Sequence, residues 1–246
     1  MISHMSKREI STILFDLDGT LLPMDQQRFM AAYLEVFSRK CQQLKLPVEQ
    51  SLKALDVGFS AMKGNDGSAT NERRFWEEFS RVLNLDVKDK IADFITFYTD
   101  EFKELKTVVG STPLSEKIVS LLREKGYRLV LATTPVFPRQ GTLERIAWAN
   151  LEPKWFELIT TYEDFSHTKP SLGYYQEILD RLDVEPQECL MIGNDVTEDL
   201  VVETMGMDVF LVTDHLINTS SLDITRYRRG SMEDLMTFCG SLASRN

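Results

Sequence analysis

Cysteine and histidine are scarce in this chain of 246 residues, three of each. Cys41, Cys189 and Cys239 stand far apart and form no CxxC pair. That argues against a disulfide framework and a zinc site, and fits a reducing compartment. His4, His167 and His215 are equally scattered, and none is expected to touch a substrate. Positive charge is in deficit, with 28 Lys and Arg against 38 Asp and Glu and a net charge of −10. A surface of that balance repels nucleic acid and anionic membranes, so neither is an expected partner, although a local basic pocket for a small anion is compatible with it. No run approaches the roughly 20 apolar residues of a membrane-spanning helix. The opening MISHMSKREIST lacks the apolar centre of a secretory signal. These absences predict a cytoplasmic protein. Internal repeats and low-complexity tracts are missing too, and 43% hydrophobic residues suffice for one large domain or for a core with an insert.

What is present starts with residues 13–25, ILFDLDGTLLPMD, in which an apolar strand over 10–15 runs directly into Asp16 and Asp18. From about 26 to 105 the apolar residues then recur at steps of three and four. Phe29, Tyr33, Phe37 and Cys41 make one such stripe, Phe75, Phe79 and Val82 another, and Ile91, Phe94, Tyr98 and Phe102 a third. The spacing predicts four helices, with Pro47 after the first and a loop, KGNDGSATN, over 63–71. Phe75, Trp76 and Tyr98 read as the core of this helical block. The loop over 63–71 is the candidate for contacts that select a substrate.

Beyond Ser111 strands and helices alternate. Thr112-Pro113 opens a helix that Gly126 closes. Strands follow at 128–134, 156–162, 188–193 and 207–213, separated by helices at about 139–150, 172–182 and 197–205. Residues 214–230 read as irregular, and a short helix ends the chain. The fold class is therefore α/β, a Rossmann-like parallel sheet core with helices on both faces and an inserted all-helical domain. The core comprises 1–24 and 108–246, and the insert 25–107.

Ligands of open parallel sheets bind beyond the carboxyl ends of the strands. Asp16-Leu17-Asp18-Gly19-Thr20, Thr133-Thr134-Pro135, Lys169 and Gly193-Asn194-Asp195, with Asp199 four residues on, all fall at such ends. Carboxylate oxygens suit a hard cation such as Mg²⁺, and without one several carboxylates on one edge repel. A cation attracts phosphate, whose remaining oxygens suit Lys169 and Thr133. One aspartate of the first pair can attack phosphorus while the other moves protons.

DLDGT, the strand-ending TTP, the lysine of TKP and GNDVTED, in this order, resemble the four motifs of the haloacid-dehalogenase-like hydrolase superfamily. The resemblance covers roughly 8–24 and 108–215, and the insert is similar to that superfamily's helical cap. It implies Asp16 as nucleophile, Asp18 as general acid and base, and Thr133 and Lys169 on the phosphate, with Lys169 also orienting Asp16. Mg²⁺ is implied on the Asp16 carboxylate, the Asp18 backbone carbonyl and an acid of the fourth motif. The implied activity is a Mg²⁺-dependent phosphatase that acts on a small phosphorylated metabolite through an aspartyl phosphate.

Three features depart from the superfamily's pattern. Asn194 stands where many relatives carry aspartate, so Asp195 is the expected direct ligand and Asp199 a water-mediated or lysine-bound group, with the reverse order as the alternative. On a helix starting there, Glu198 is turned about 100° from Asp199 and points elsewhere. Thr134 follows Thr133 where asparagine is common, which weakens one substrate contact. Pro23 sits in the turn toward the insert and stiffens it. Alternative readings are a phosphomutase, a metal-free dehalogenase and a non-catalytic binding protein. Asp18 argues against the dehalogenase, and the filled catalytic positions argue against the binding protein.

Overall fold

Strand β1, Thr12–Phe15, lies between β2 (Arg128–Leu131) and β4 (Cys189–Gly193) and is buried along its whole length by apolar clusters on both faces of the sheet. In the computed structural model residues 9–245 are described; the first eight residues, His4 among them, lie outside that range. All six strands are parallel, in the order β3-β2-β1-β4-β5-β6, with β3 at Leu158–Ile159, β5 at Asp208–Val212 and β6 at Arg229–Gly230. Strands buried on both faces read as unbroken apolar runs, which is why the central ones were visible in the sequence.

Successive side chains of β1 point to opposite faces. Ile13 and Phe15 meet α5 (Pro113–Glu124), α6 (Arg139–Trp148) and α8 (Met232–Ser241) on one face. Leu14 meets α7 (Leu172–Leu182) on the other. Thr112 caps α5 through its side chain with Pro113 in the first turn, and Ser171 caps α7.

Between β1 and α5 every regular element is helical: α1 (Gln26–Gln43), α2 (Val48–Lys63), α3 (Asn71–Leu83), α4 (Ile91–Thr99) and two 3₁₀ stretches, Lys88–Lys90 and Glu101–Val108. Asp25 caps α1 and Thr70 caps α3. Phe37, Phe79, Phe94 and Phe97 pack ring against ring inside this block. The same apolar cluster continues through Phe102 and Phe137 to Phe15 and Leu131 of the sheet. The two chain crossings lie side by side, the Gly110 N–H donating to the Pro23 carbonyl at 2.8 Å.

Four expectations need correction. The strand predicted over 156–162 is two residues long, Leu158–Ile159; the Thr160 N–H still donates to the Leu131 carbonyl, and its hydroxyl donates to the Thr133 carbonyl where the chain leaves the sheet. The helix predicted over 197–205 is a 3₁₀ segment, Leu200–Met205, preceded by a turn over 196–199 in which the Asp195 side chain accepts from the N–H groups of Thr197 and Glu198. The stretch 214–230 is not wholly irregular and supplies β6. The loop over 63–71 meets the cleft through its first residue, Lys63, while the rest of it packs on the core loops. Asn65 donates to Asn71, and Asn71 donates to the carbonyls of Pro135 and His167.

Candidate active site

The register of the sheet brings three sequence motifs to one edge. Phe15 lies level with Leu131 and Ile192, so Asp16, Ala132-Thr133 and Gly193-Asn194 emerge together. Asp16 donates its N–H to the Ile192 carbonyl at 2.8 Å, and Ala132 donates to Phe15 at 2.7 Å. The edge opens into a cleft of about 620 Å³, whose floor includes Asp16, Asp18, Thr133, Asp195 and Asp199 and whose opposite wall is α1.

Lys169 is the hinge of the polar arrangement. Its Nζ donates to Asp16 Oδ1 at 2.8 Å and to Asp199 Oδ1 at 2.7 Å, and its side chain has no exposed surface. It stands behind Asp16 and does not line the cleft. Burial opposes its charge, but the two carboxylates hold its pKa well above the ordinary lysine value. Burial pushes the Asp16 carboxyl up to about 7; Lys169 opposes the rise, and Asp199 and Asp18 add to it.

Two glycines admit this geometry. Gly19 has φ +91°, a left-handed turn, and a Cβ there would lie 2.3 Å from Asn194 Nδ2. A Cβ on Gly193 would lie 2.1 Å from Asp199 Oδ2, so only glycine lets Asp199 fold back under the strand end. Asn194, in the position read above as a departure, is an organising residue. Its Oδ1 accepts from Thr20 at 3.0 Å and its Nδ2 donates to the His215 carbonyl at 2.7 Å. Asp199 Oδ2 accepts from the Asp195 N–H at 3.0 Å, which leaves Asp195 partly exposed at the cleft and Asp199 buried against the lysine.

Two further residues enter the site. Glu198 lines the cleft and accepts from the Thr134 hydroxyl at 2.8 Å, while its neighbour Asp199 turns to Lys169. Burial pushes its carboxyl up. Arg145, absent from the sequence reading, reaches from α6 to pair with Asp18 Oδ2. Its guanidinium lies 4.7 Å from the centre of the Phe137 ring, and its side chain is 1% exposed. The signal was its phase: Gly141, Thr142, Arg145 and Trp148 share the buried stripe of α6. An arginine in a buried phase demands a carboxylate. Asp18 Oδ1 remains buried without a partner. His167 pairs instead with Glu177 at 2.6 Å.

A sheet edge of this construction, with a lysine buried between strand-end aspartates, defines an α/β enzyme that works through carboxylates. The family model for haloacid dehalogenase-like hydrolases matches residues 10–201, and the chain belongs to that family as a phosphatase-type enzyme. Pyrophosphatase PpaX of Bacillus cereus (strain G9842) is 26% identical over 186 residues, 75% of this chain and 74% of that one. A HAD phosphatase from Thermococcus onnurineus has a similar fold, with a TM-score of 0.58 at 20% identity over 96% of this chain and 100% of that one. So does magnesium-bound YfnB of Bacillus subtilis, at 0.57 and 20% over 95% and 100%. Among the described residues, no helix is long and apolar enough to cross a membrane.

Proposed function

We propose that the chain is a Mg²⁺-dependent phosphatase of small phosphorylated metabolites in which Asp16 carries the phosphoryl group. The observation that carries this is the fixed position of Asp16 on the cleft floor. Lys169 holds Oδ1 at 2.8 Å, leaving Oδ2 with one contact, to Thr20 at 3.3 Å. The insert, 25–107, acts in this reading as a cap over a core of 1–24 and 108–246.

The donor set fits Mg²⁺. Every group is an oxygen, and the burial that, together with Asp199 and Asp18, lifts Asp16 to about 7 penalises negative charge that a cation would offset. Among the described residues no three acids close on one point. A small hard cation that takes one or two carboxylates and keeps its waters needs no such cage. The Asp16 carboxylate, the Asp18 carbonyl and Asp195 would hold it, with Asp199 held off by Lys169. When bound, Mg²⁺ supplies positive charge against the phosphate and the carboxylates.

Asp16 Oδ2 attacks phosphorus, and the bond from phosphorus to the leaving oxygen breaks. Asp18 gives that oxygen a proton. Water then attacks the phosphoryl group on Asp16, Asp18 takes its proton, and orthophosphate leaves. Thr133, buried at the cleft floor, restrains the phosphate, and Lys169 behind Asp16 restrains the nucleophile. The likeness to the PpaX pyrophosphatases makes inorganic pyrophosphate the first alternative substrate.

The test is hydrolysis of an aryl phosphate with Mg²⁺, repeated in excess chelator and with Asp16→Asn. Activity should vanish in both cases while the circular dichroism spectrum of the variant stays unchanged. Full turnover by Asp16→Asn overturns the assignment of the nucleophile, and full turnover in chelator overturns the metal dependence.

A further inference from the structure

We propose that the leaving group of the substrate is an apolar organic body seated against α1, which makes the substrate an alkyl or aryl phosphomonoester and not inorganic pyrophosphate. This rests on the phosphatase reading above and narrows it. Met30 and Leu34 are each 37% exposed, among the few large hydrophobic side chains so exposed in the described residues. Both line the cleft, one helical turn apart on α1. Met24, Phe29, Val136 and Phe137 complete the wall around them. Apolar side chains left in water across from a polar reaction centre mark a surface that a ligand covers.

Volume and charge point the same way. A cleft of about 620 Å³ lies in the range of sites that bury an organic molecule, and it far exceeds what a phosphate group alone fills. Two cationic residues line it, Lys63 and Arg145, and Arg145 is already paired with Asp18. The second phosphate of pyrophosphate would need a cluster of cations where it departs. The wall there offers mostly thioethers, methyl groups and aromatic rings, with Gln26, Gln27 and the single cation Lys63 as its polar members. Methionine at two positions lets such a wall adapt to the shape of its ligand.

The experiment measures kcat/KM for ethyl, butyl and hexyl phosphate with Mg²⁺, beside pyrophosphate and acetyl phosphate. The alkyl esters share one leaving-group chemistry, so any trend reports contact alone. The expected result is a rise of roughly fourfold per added methylene, the free energy of moving one CH₂ out of water, and a lower value for pyrophosphate than for hexyl phosphate. Met30→Asn and Leu34→Asn, on an exposed helix face, should flatten the trend. A flat or falling series, pyrophosphate preferred over hexyl phosphate, or variants that lower all chain lengths equally each overturn the proposal and leave the phosphatase reading standing. Failure to hydrolyse any of these, acetyl phosphate included, overturns that reading and the inference with it.

Discussion

The guanidinium of Arg145 and the carboxylate of Asp18 meet where, among the described residues, neither has another ionic partner. The arginine is 1% exposed and the aspartate side chain 21%. Removing one member of such a pair strands a charge, which costs about 3–5 kcal/mol when both are fully buried. Because Asp18 still reaches some water, Arg145→Gln should cost about 3 kcal/mol, the lower end of that range, in urea unfolding. The kinetic expectation is sharper. Arg145 touches Asp18 Oδ2 and leaves Oδ1 free, so it fixes where the proton donor points. Asp18→Asn should slow turnover by roughly 10²–10⁴-fold, and adding Arg145→Gln to that variant should cost little more. Losses that multiply would instead mean that Arg145 contacts the substrate on its own account.

At the scale of elements, the end of β4 decides whether the site exists. Gly193→Ala sets a Cβ against the whole Asp199 side chain, 2.1 Å from Oδ2 and 2.9 Å from Cβ, so no rotamer relieves the clash. Asp199 must leave Lys169, and overpacking of this kind costs typically about 1–3 kcal/mol. The variant should melt lower and lose activity. Gly240→Ala is the control: nothing lies within 4 Å of its Cβ on α8, and it should be neutral or stabilising by up to about 1 kcal/mol. A Gly193→Ala enzyme with normal melting temperature and turnover would dissolve the argument. The sequence made the strand ends legible because the apolar runs of β1, β2 and β4 stop abruptly at polar residues. It hid what happens next. Asp195 spends its Oδ1 on two backbone N–H groups of a turn, and the same turn carries Glu198 to the cleft. A two-residue edge strand such as β6 carries no periodicity, and only the helical phase of Arg145 marks it as buried.

Across the whole molecule, the three cysteines lie in three different places: Cys41 on α1 of the helical insert, Cys189 at the start of β4, and Cys239 on α8 beside the sheet. All are fully buried, and burial pushes their thiols up, to about 11 for Cys41 and about 12 for the other two. The thiolate is the reactive form, so none should be alkylated at pH 8 in the native protein, while all three should react in denaturant. Their order of reaction then tests how the chain holds together. An insert that packed only on itself would open first and release Cys41 ahead of the others. The apolar cluster around Cys41 does not stop at the insert, however. It runs through Phe102 and Phe137 into Phe15 and Leu131, and reaches Cys239. Opening the insert would therefore strip the sheet of part of one face. Pulsed alkylation across a urea series, read peptide by peptide in a mass spectrometer, should give one midpoint for all three cysteines. A midpoint for Cys41 at clearly lower urea would show that the shared cluster is too weak to couple insert and sheet, and that the cleft between them opens without disturbing the core.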